Sequence, residues 1–187
     1  MEFVRFRKLH NYIHSYEIKG LDEFLRTYEE EFNLIYYKFE KLRDRGIKGF
    51  NDSILNPNIV KPLREIQESI VDKFYIVDKN WEDYSFMLYS QTESDNKKVY
   101  HNHQKSFSIA STMYLNAPNR EDGGELQFFF GEQDEPIIHP IKDTIYFFPG
   151  WSLHRPLAHK GKNIRHCINW GYQCSNNPIH KLTGDRW

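Results

Sequence analysis

Between positions 21 and 45 apolar side chains return every three or four residues, at Leu21, Phe24, Leu25, Tyr28, Phe32, Ile35, Tyr36, Phe39 and Leu42. That spacing predicts one amphipathic helix, with Gly46 as its C-cap after a basic last turn. Positions 46–61, with Asn51, Asp52, Asn56, Pro57 and Asn58, read as a loop. A second helix is expected from about Pro62, carrying Leu63, Ile66, Ile70 and Phe74 on one face. Ahead of both, positions 12–18 read as a short strand. From about Glu82 the period changes to two, and β-branched or aromatic runs alternate with turn signals. Strands are expected at 84–91, 98–104, 106–116, 125–130, 136–139, 143–148, 152–157 and 164–172. Short strands following helices predict a mostly β chain, closed or double-sheeted, with a helical cover.

Two of these strands have unlike faces. Over 107–115, Phe107, Ile109, Met113 and Leu115 alternate with Ser108, Ala110, Thr112 and Tyr114. Over 164–172, Ile164, Ile168, Trp170 and Tyr172 alternate with Arg165, Cys167 and Asn169. The helices are the natural partners of the apolar face. The polar face, with Tyr114 and Arg165, then either lines a cavity or is solvated.

Composition narrows the class. The chain has 187 residues, 39% hydrophobic and 27% charged, which is the balance of a folded protein of one domain. With 14 Phe, 12 Tyr and 4 Trp, rings must build much of the core. A net charge of -1 gives no general field for nucleic acid or an anionic membrane. The longest apolar run, Ile145 to Phe148, is far short of a membrane span, and the first residues are charged where a signal peptide would be apolar. Cys167 and Cys174 suit reduced thiols, so a cytoplasmic protein is expected.

The candidate chemistry begins at Tyr100-His101-Asn102-His103. In a strand, imidazoles two residues apart point to one side, as two ligands of one metal must. Nine histidines in 187 positions give roughly 0.4 such pairs by chance, so the pair alone says little. A third histidine, His154, follows Phe147-Phe148-Pro149-Gly150-Trp151-Ser152-Leu153, and Arg165 lies eleven positions further on a polar strand face. A guanidinium turned into a cavity needs an anion: a ligand carboxylate or phosphate, or a protein carboxylate such as Glu125.

Four segments, in order, resemble the iron(II)- and 2-oxoglutarate-dependent oxygenases, particularly the prolyl-4-hydroxylase-like branch and related small 2OG-Fe(II) oxygenases. Phe86-Met87-Leu88-Tyr89 with Tyr100-His101-Asn102-His103 is similar to the family's tyrosine-bearing strand and its His-x-Asp pair. Tyr114-Leu115-Asn116 through Gly123-Gly124-Glu125-Leu126 resembles its Tyr-Leu-Asn strand and Gly-Gly-Glu-Leu turn. The run from His139 to Pro149, leading to His154, resembles the segment before the distal metal histidine. Gly161 through Trp170 resembles the strand whose basic residue, here Arg165, grips the far carboxylate of 2-oxoglutarate.

The resemblance covers about residues 84–172. It implies a double-stranded β-helix, or jelly roll, with helices packed on the larger sheet. The expected layout is one domain over 1–187: a mainly helical cover at 1–80, a jelly-roll core at 81–175 and a tail at 176–187. It also implies Fe(II), 2-oxoglutarate chelating it, O2, and hydroxylation of an amino acid, peptide or small molecule. His101, His103 and His154 are the expected metal ligands and catalytic centre, with Arg165, Tyr89 and Tyr114 for the cofactor. Both tyrosines could instead pack in the core. His103 stands where the family has a carboxylate. Glu125 swinging in, or His103 lining the site beside a water, are the other assignments. Zinc also suits three histidines, and a cupin-like metalloenzyme or a non-enzymatic jelly-roll binding module are the competing functions. Trp151 is either a wall of the entrance or a rim aromatic.

Overall fold

The computed structural model describes residues 1–42, 49–51, 55–91, 99–103, 108–117, 119–131, 135–158, 160 and 165–187. Strands β1 (Glu2–His10), β2 (Ile13–Lys19), β3 (Gly49–Asn51), β5 (Lys79–Gln91), β6 (Ile109–Tyr114), β9 (Thr144–Pro149) and β11 (Arg165–Cys174) form a seven-stranded antiparallel sheet in the order β1-β2-β9-β6-β11-β5-β3. A smaller sheet, β10-β7-β8, is built from β7 (Leu126–Phe129), β8 (Ile137–Ile138) and β10 (Leu153–Pro156). β4 (Tyr75–Ile76) pairs with β12 (Ile179–His180). The helices are α1 (Leu21–Thr27), α2 (Glu29–Leu42) and α3 (Pro57–Phe74).

The alternation places the layers as expected. Ile109, Met113, Ile168, Trp170 and Tyr172 join Phe32, Phe39, Leu63 and Ile70 in one core between the larger sheet and the helices. On the opposite, inner face, Ala110 and Phe148 meet Leu126 and Phe128 of β7. Tyr114, Tyr146 and Cys167 form a further inner cluster with Ile138 against it. This is a jelly roll with helices on its larger sheet. Ser111, a polar residue on the helix-facing side, is satisfied there, donating to the buried Gln67 side chain of α3 at 2.5 Å.

Several boundaries differ from the sequence reading. The helix expected over 21–45 breaks at Tyr28, whose extended-side φ of -114° ends α1 before α2 resumes on the same apolar face. α3 starts at Pro57, because Asn56 caps it by accepting from the Asn58 N–H at 3.0 Å, and Pro62 lies inside the helix. Of the strand expected at 98–104, residues 99–103 are described, and among them His101 makes a single bridge to His154. The mainly helical cover at 1–80 is corrected at its start, where β1 and β2 extend the larger sheet. β1 has register shifts between Phe3 and Arg5 and between Lys8 and His10, so its rings do not keep a period of two.

The segment expected as a tail is docked through a buried network. The Thr183 N–H donates to His180 Nδ1 at 3.2 Å, which leaves the His180 proton on Nε2, 2.9 Å from the Tyr16 hydroxyl. Tyr16 donates to Tyr75 at 3.0 Å, Tyr75 lies 2.9 Å from His14 Nδ1, and His14 Nε2 lies 3.1 Å from Asp185. Lys8 closes the chain on Asp185 at 2.8 Å. No described helix is long and apolar enough to cross a membrane. Both cysteines are free and buried.

Candidate metal centre

At Pro149 β9 leaves the larger sheet, and Gly150, Trp151 and Ser152 turn the chain into β10 of the smaller one. His154 therefore sits where the chain crosses between sheets. The His101 N–H donates to the His154 carbonyl at 3.0 Å, and the His154 N–H returns to the His101 carbonyl at 2.9 Å. The His103 N–H donates to the Gly150 carbonyl at 2.7 Å. The His-x-His segment is thus fastened to both ends of the β9–β10 turn. Ligand-capable nitrogens of His101, His103 and His154 all lie within 4.8 Å of one another.

The hydrogen bonds choose the tautomer. A carbonyl can only accept, so His154 Nδ1 donates to Ser152 at 2.9 Å, which makes Nε2 the nitrogen that carries the lone pair a metal would use. His101 Nδ1 is 3.4 Å from the Val99 carbonyl, a longer version of the same arrangement. Phe148 stands edge-on to the buried His154 ring at 4.9 Å and Phe128 backs it at 5.8 Å. Burial, and then the neighbouring His101, lower the His103 pKa to about 4, so at neutral pH that ring is in the neutral form that ligates.

Arg165 opens β11 and is buried. Its guanidinium donates to the Gly124 carbonyl and lies 5.7 Å from the Tyr114 ring. The Tyr114 phenol is pushed up to about 12 by burial, which Arg165 partly offsets. The glycine turn makes this contact geometrically available. Gly123 has φ +77°, a Cβ there would meet the Ala158 carbonyl at 2.8 Å, and the Gly124 N–H donates to that carbonyl at 2.9 Å.

Register places Tyr89 and Tyr114 on either side of Cys167, so the three form a row across β5, β11 and β6, two residues along from Arg165. The side chain of Tyr89 is outside the described part. Glu125 is not a member of the histidine group: its carboxylate lies 3.8 Å from His139 Nδ1. Trp151 is exposed and packed on Tyr12 at 4.9 Å and Phe130 at 5.9 Å. His166 turns to the opposite face and stacks on Tyr36 of α2 at 3.6 Å. His159 lies outside the described residues.

One positioning residue was missed in the sequence. Arg155 lies over the Tyr100 ring at 4.3 Å and donates to Gln127 at 2.9 Å, and Gln127 donates in turn to Glu135 at 2.8 Å. Tyr100 is held on one side of the bridge while His101 and His154 meet on the other. The signal was the period of two: 100 and 155 fall on the face opposite 101 and 154.

The fold is similar to that of solved structures over part of the chain. A prolyl 4-hydroxylase from Phytophthora capsici matches with a TM-score of 0.57 and 18% identity over 75% of this chain. The likeness is one of fold. A prolyl hydroxylase from Trichoplax adhaerens, solved in complex with a hypoxia inducible factor peptide fragment, matches with a TM-score of 0.52 and 18% identity over 62% of this chain. The chain spans 54% and 56% of those two proteins, little more than half of each. No family model and no curated protein matches the sequence.

Proposed function

We propose that this chain is an iron(II)- and 2-oxoglutarate-dependent oxygenase that hydroxylates an amino acid, peptide or small molecule. The observation that supports the reading is the grouping of His101, His103 and His154, with His154 packed on Phe148 and Phe128 at the inner face of the larger sheet, the face that also carries Tyr114 and Cys167. Three neutral imidazoles fit iron(II) as a donor set, and an Nε2 on His154 fixed by its own Nδ1–H bond is a prepared ligand. When bound, iron and 2-oxoglutarate supply the oxidation: O2 is consumed, 2-oxoglutarate becomes succinate and CO2, and one oxygen atom enters a C–H bond of the substrate.

The chain's own part is positioning. Arg165 offers five donors in a fixed fork, so it can keep the Gly124 carbonyl and still receive the far carboxylate of 2-oxoglutarate. Tyr114 lies beside that guanidinium, and Tyr89, paired in register with Cys167, is the further tyrosine we assign to the cofactor. Phe128 and Phe148 keep water from the buried side of His154. Arg155 holds Tyr100, and through it the His101 segment, against β10.

Anaerobic addition of iron(II) and 2-oxoglutarate should give the weak visible absorption of the chelate, lost in His154→Ala. Admitting air should then yield succinate. A wild-type chain that gives neither the absorption nor succinate overturns the reading. His103 in place of a carboxylate favours one competitor, a cupin-like three-histidine metalloenzyme. Iron binding with no spectral or kinetic response to 2-oxoglutarate would select it.

A further inference from the structure

The smaller sheet has three strands and covers only part of the inner face of a seven-stranded one. Among the described residues, the β1–β2 end of that face lies beyond the smaller sheet. Arg5 pairs in register with Glu17 and Arg7 with Ser15, and Glu17 and Ser15 pair with Thr144 and Tyr146 of β9. Arg5 and Arg7 therefore lie on the same side of the sheet as Tyr146, at its far end from β11. Here the edge strand β1 and the edge strand β8 of the smaller sheet border a groove of about 570 Å³.

Two features give the groove a chemistry. Arg5, Arg7, Arg120 and Lys142 line it against two carboxylates, Glu17 and Asp143. The Glu17 carboxylate is shared, 2.7 Å from Arg5 and 4.0 Å from Arg7, and Lys142 is held by Asp22 outside the groove. Positive charge is in excess. The second feature is aliphatic: Leu9, Ile137 and Ile141 line the same groove and are 42%, 55% and 55% exposed. Asp143 Oδ1 is buried with no hydrogen-bond partner among the described residues, an acceptor for an incoming N–H.

We propose that this groove docks an extended acidic peptide segment with aliphatic side chains, separate from the histidine centre. Two sheet edges offer backbone groups to a strand, the arginines receive its carboxylates, and the isoleucines receive alternate apolar side chains. A nucleic acid is disfavoured by the Glu17 and Asp143 carboxylates and by the lack of an exposed aromatic platform in the lining.

The test uses the full chain and fluorescence anisotropy with a short fluorescein-labelled peptide alternating glutamate and valine. Binding should weaken as salt rises, and Arg7→Glu combined with Arg120→Glu should weaken it at least about 10-fold at low salt. Both arginines are exposed, so circular dichroism and thermal unfolding should match the wild type. Ile137→Asp with Ile141→Asp tests the aliphatic wall and should weaken binding comparably. Absence of binding by the wild type overturns the proposal, as does an unchanged affinity in either variant. Equal or tighter binding of a lysine–valine peptide, or of an oligothymidylate, overturns it too.

Discussion

Acidification should unfold this protein through two buried histidines, and the direction follows from where their protons sit. His180 Nδ1 faces the Thr183 N–H, so a second proton on that ring costs a hydrogen bond, and a second proton on His14 Nδ1 requires the Tyr75 hydroxyl to turn and accept it. Burial lowers both pKa values from 6.5 to about 4, helped at His14 by the nearby His180 and opposed at both by Asp185. The unfolded chain thus binds protons between those values that the fold rejects. Stability from these groups is complete above about pH 6.5 and is lost as pH falls toward 4. Each ring is fully buried, and such a depression is worth roughly 3 kcal/mol. The pair together is worth somewhat less than twice that, because their mutual repulsion enters the His14 value.

That loss is a large fraction of the stability of a typical domain, about 5–15 kcal/mol. His103, also lowered to about 4, adds a third proton to the metal-free chain. Urea unfolding measured from neutral to mildly acidic pH should therefore lose about 4 kcal/mol per pH unit at the steepest point. Trp187 is a local reporter, buried with its ring 5.0 Å from His14 and 4.9 Å from Tyr75. In His180→Gln, the steepest slope should fall by about a third, since one of three depressed groups is gone. A stability that is flat over this range, or a slope unchanged in His180→Gln, would refute the reasoning.

Four further outcomes are expected. His101→Ala and His154→Ala should each abolish tight binding of a divalent metal in anaerobic calorimetry, with thermal unfolding little changed. Arg165→Ala should raise the KM for 2-oxoglutarate at least about 100-fold, as loss of a charge-assisted contact does, and an unchanged titration would point to the cupin-like reading. If His103 is a ligand, His103→Asp should retain iron binding and His103→Leu lose much of it, whereas normal binding by His103→Leu would remove His103 from the site. Gly123→Ala should lower the unfolding free energy by about 2 kcal/mol or more, combining a left-handed φ with a backbone clash, and wild-type stability would show that the turn can move.

What could be read from the sequence depended on whether the period of the side chains survives local irregularity. β11 and β6 keep a strict period of two, and their two faces were legible down to His166 lying opposite Arg165. β1 was not legible, because its bulges bring Phe3 and Phe6 onto the same partners, Tyr16 and Phe74, at a spacing of three. The docked end, too, has no periodic signal: His180, Asp185 and Trp187 are held by hydrogen bonds and ring contacts to residues far away in the chain. At the candidate site the three histidines were legible as residue types in order. Their meeting was reasoned from a strand, while the structure achieves it with one bridge and a bond to Gly150.

The division of the larger sheet into two faces also separates stability from chemistry along a single strand. On β11, Ile168, Trp170 and Tyr172 are committed to the core under the helices, while Arg165 and Cys167 face the smaller sheet. A change at Trp170 removes the largest fully buried side chain among the described residues and acts on folding. A change at Arg165 removes a donor to the Gly124 carbonyl and leaves the helix-facing core intact. The same holds for β9, where Phe147 packs on Tyr16 and Trp170, while its neighbour Phe148 stands beside His154. Successive residues thus do different work: His154 packs on Phe148 and Phe128, on the face of the sheet away from the cluster that holds the helices to it.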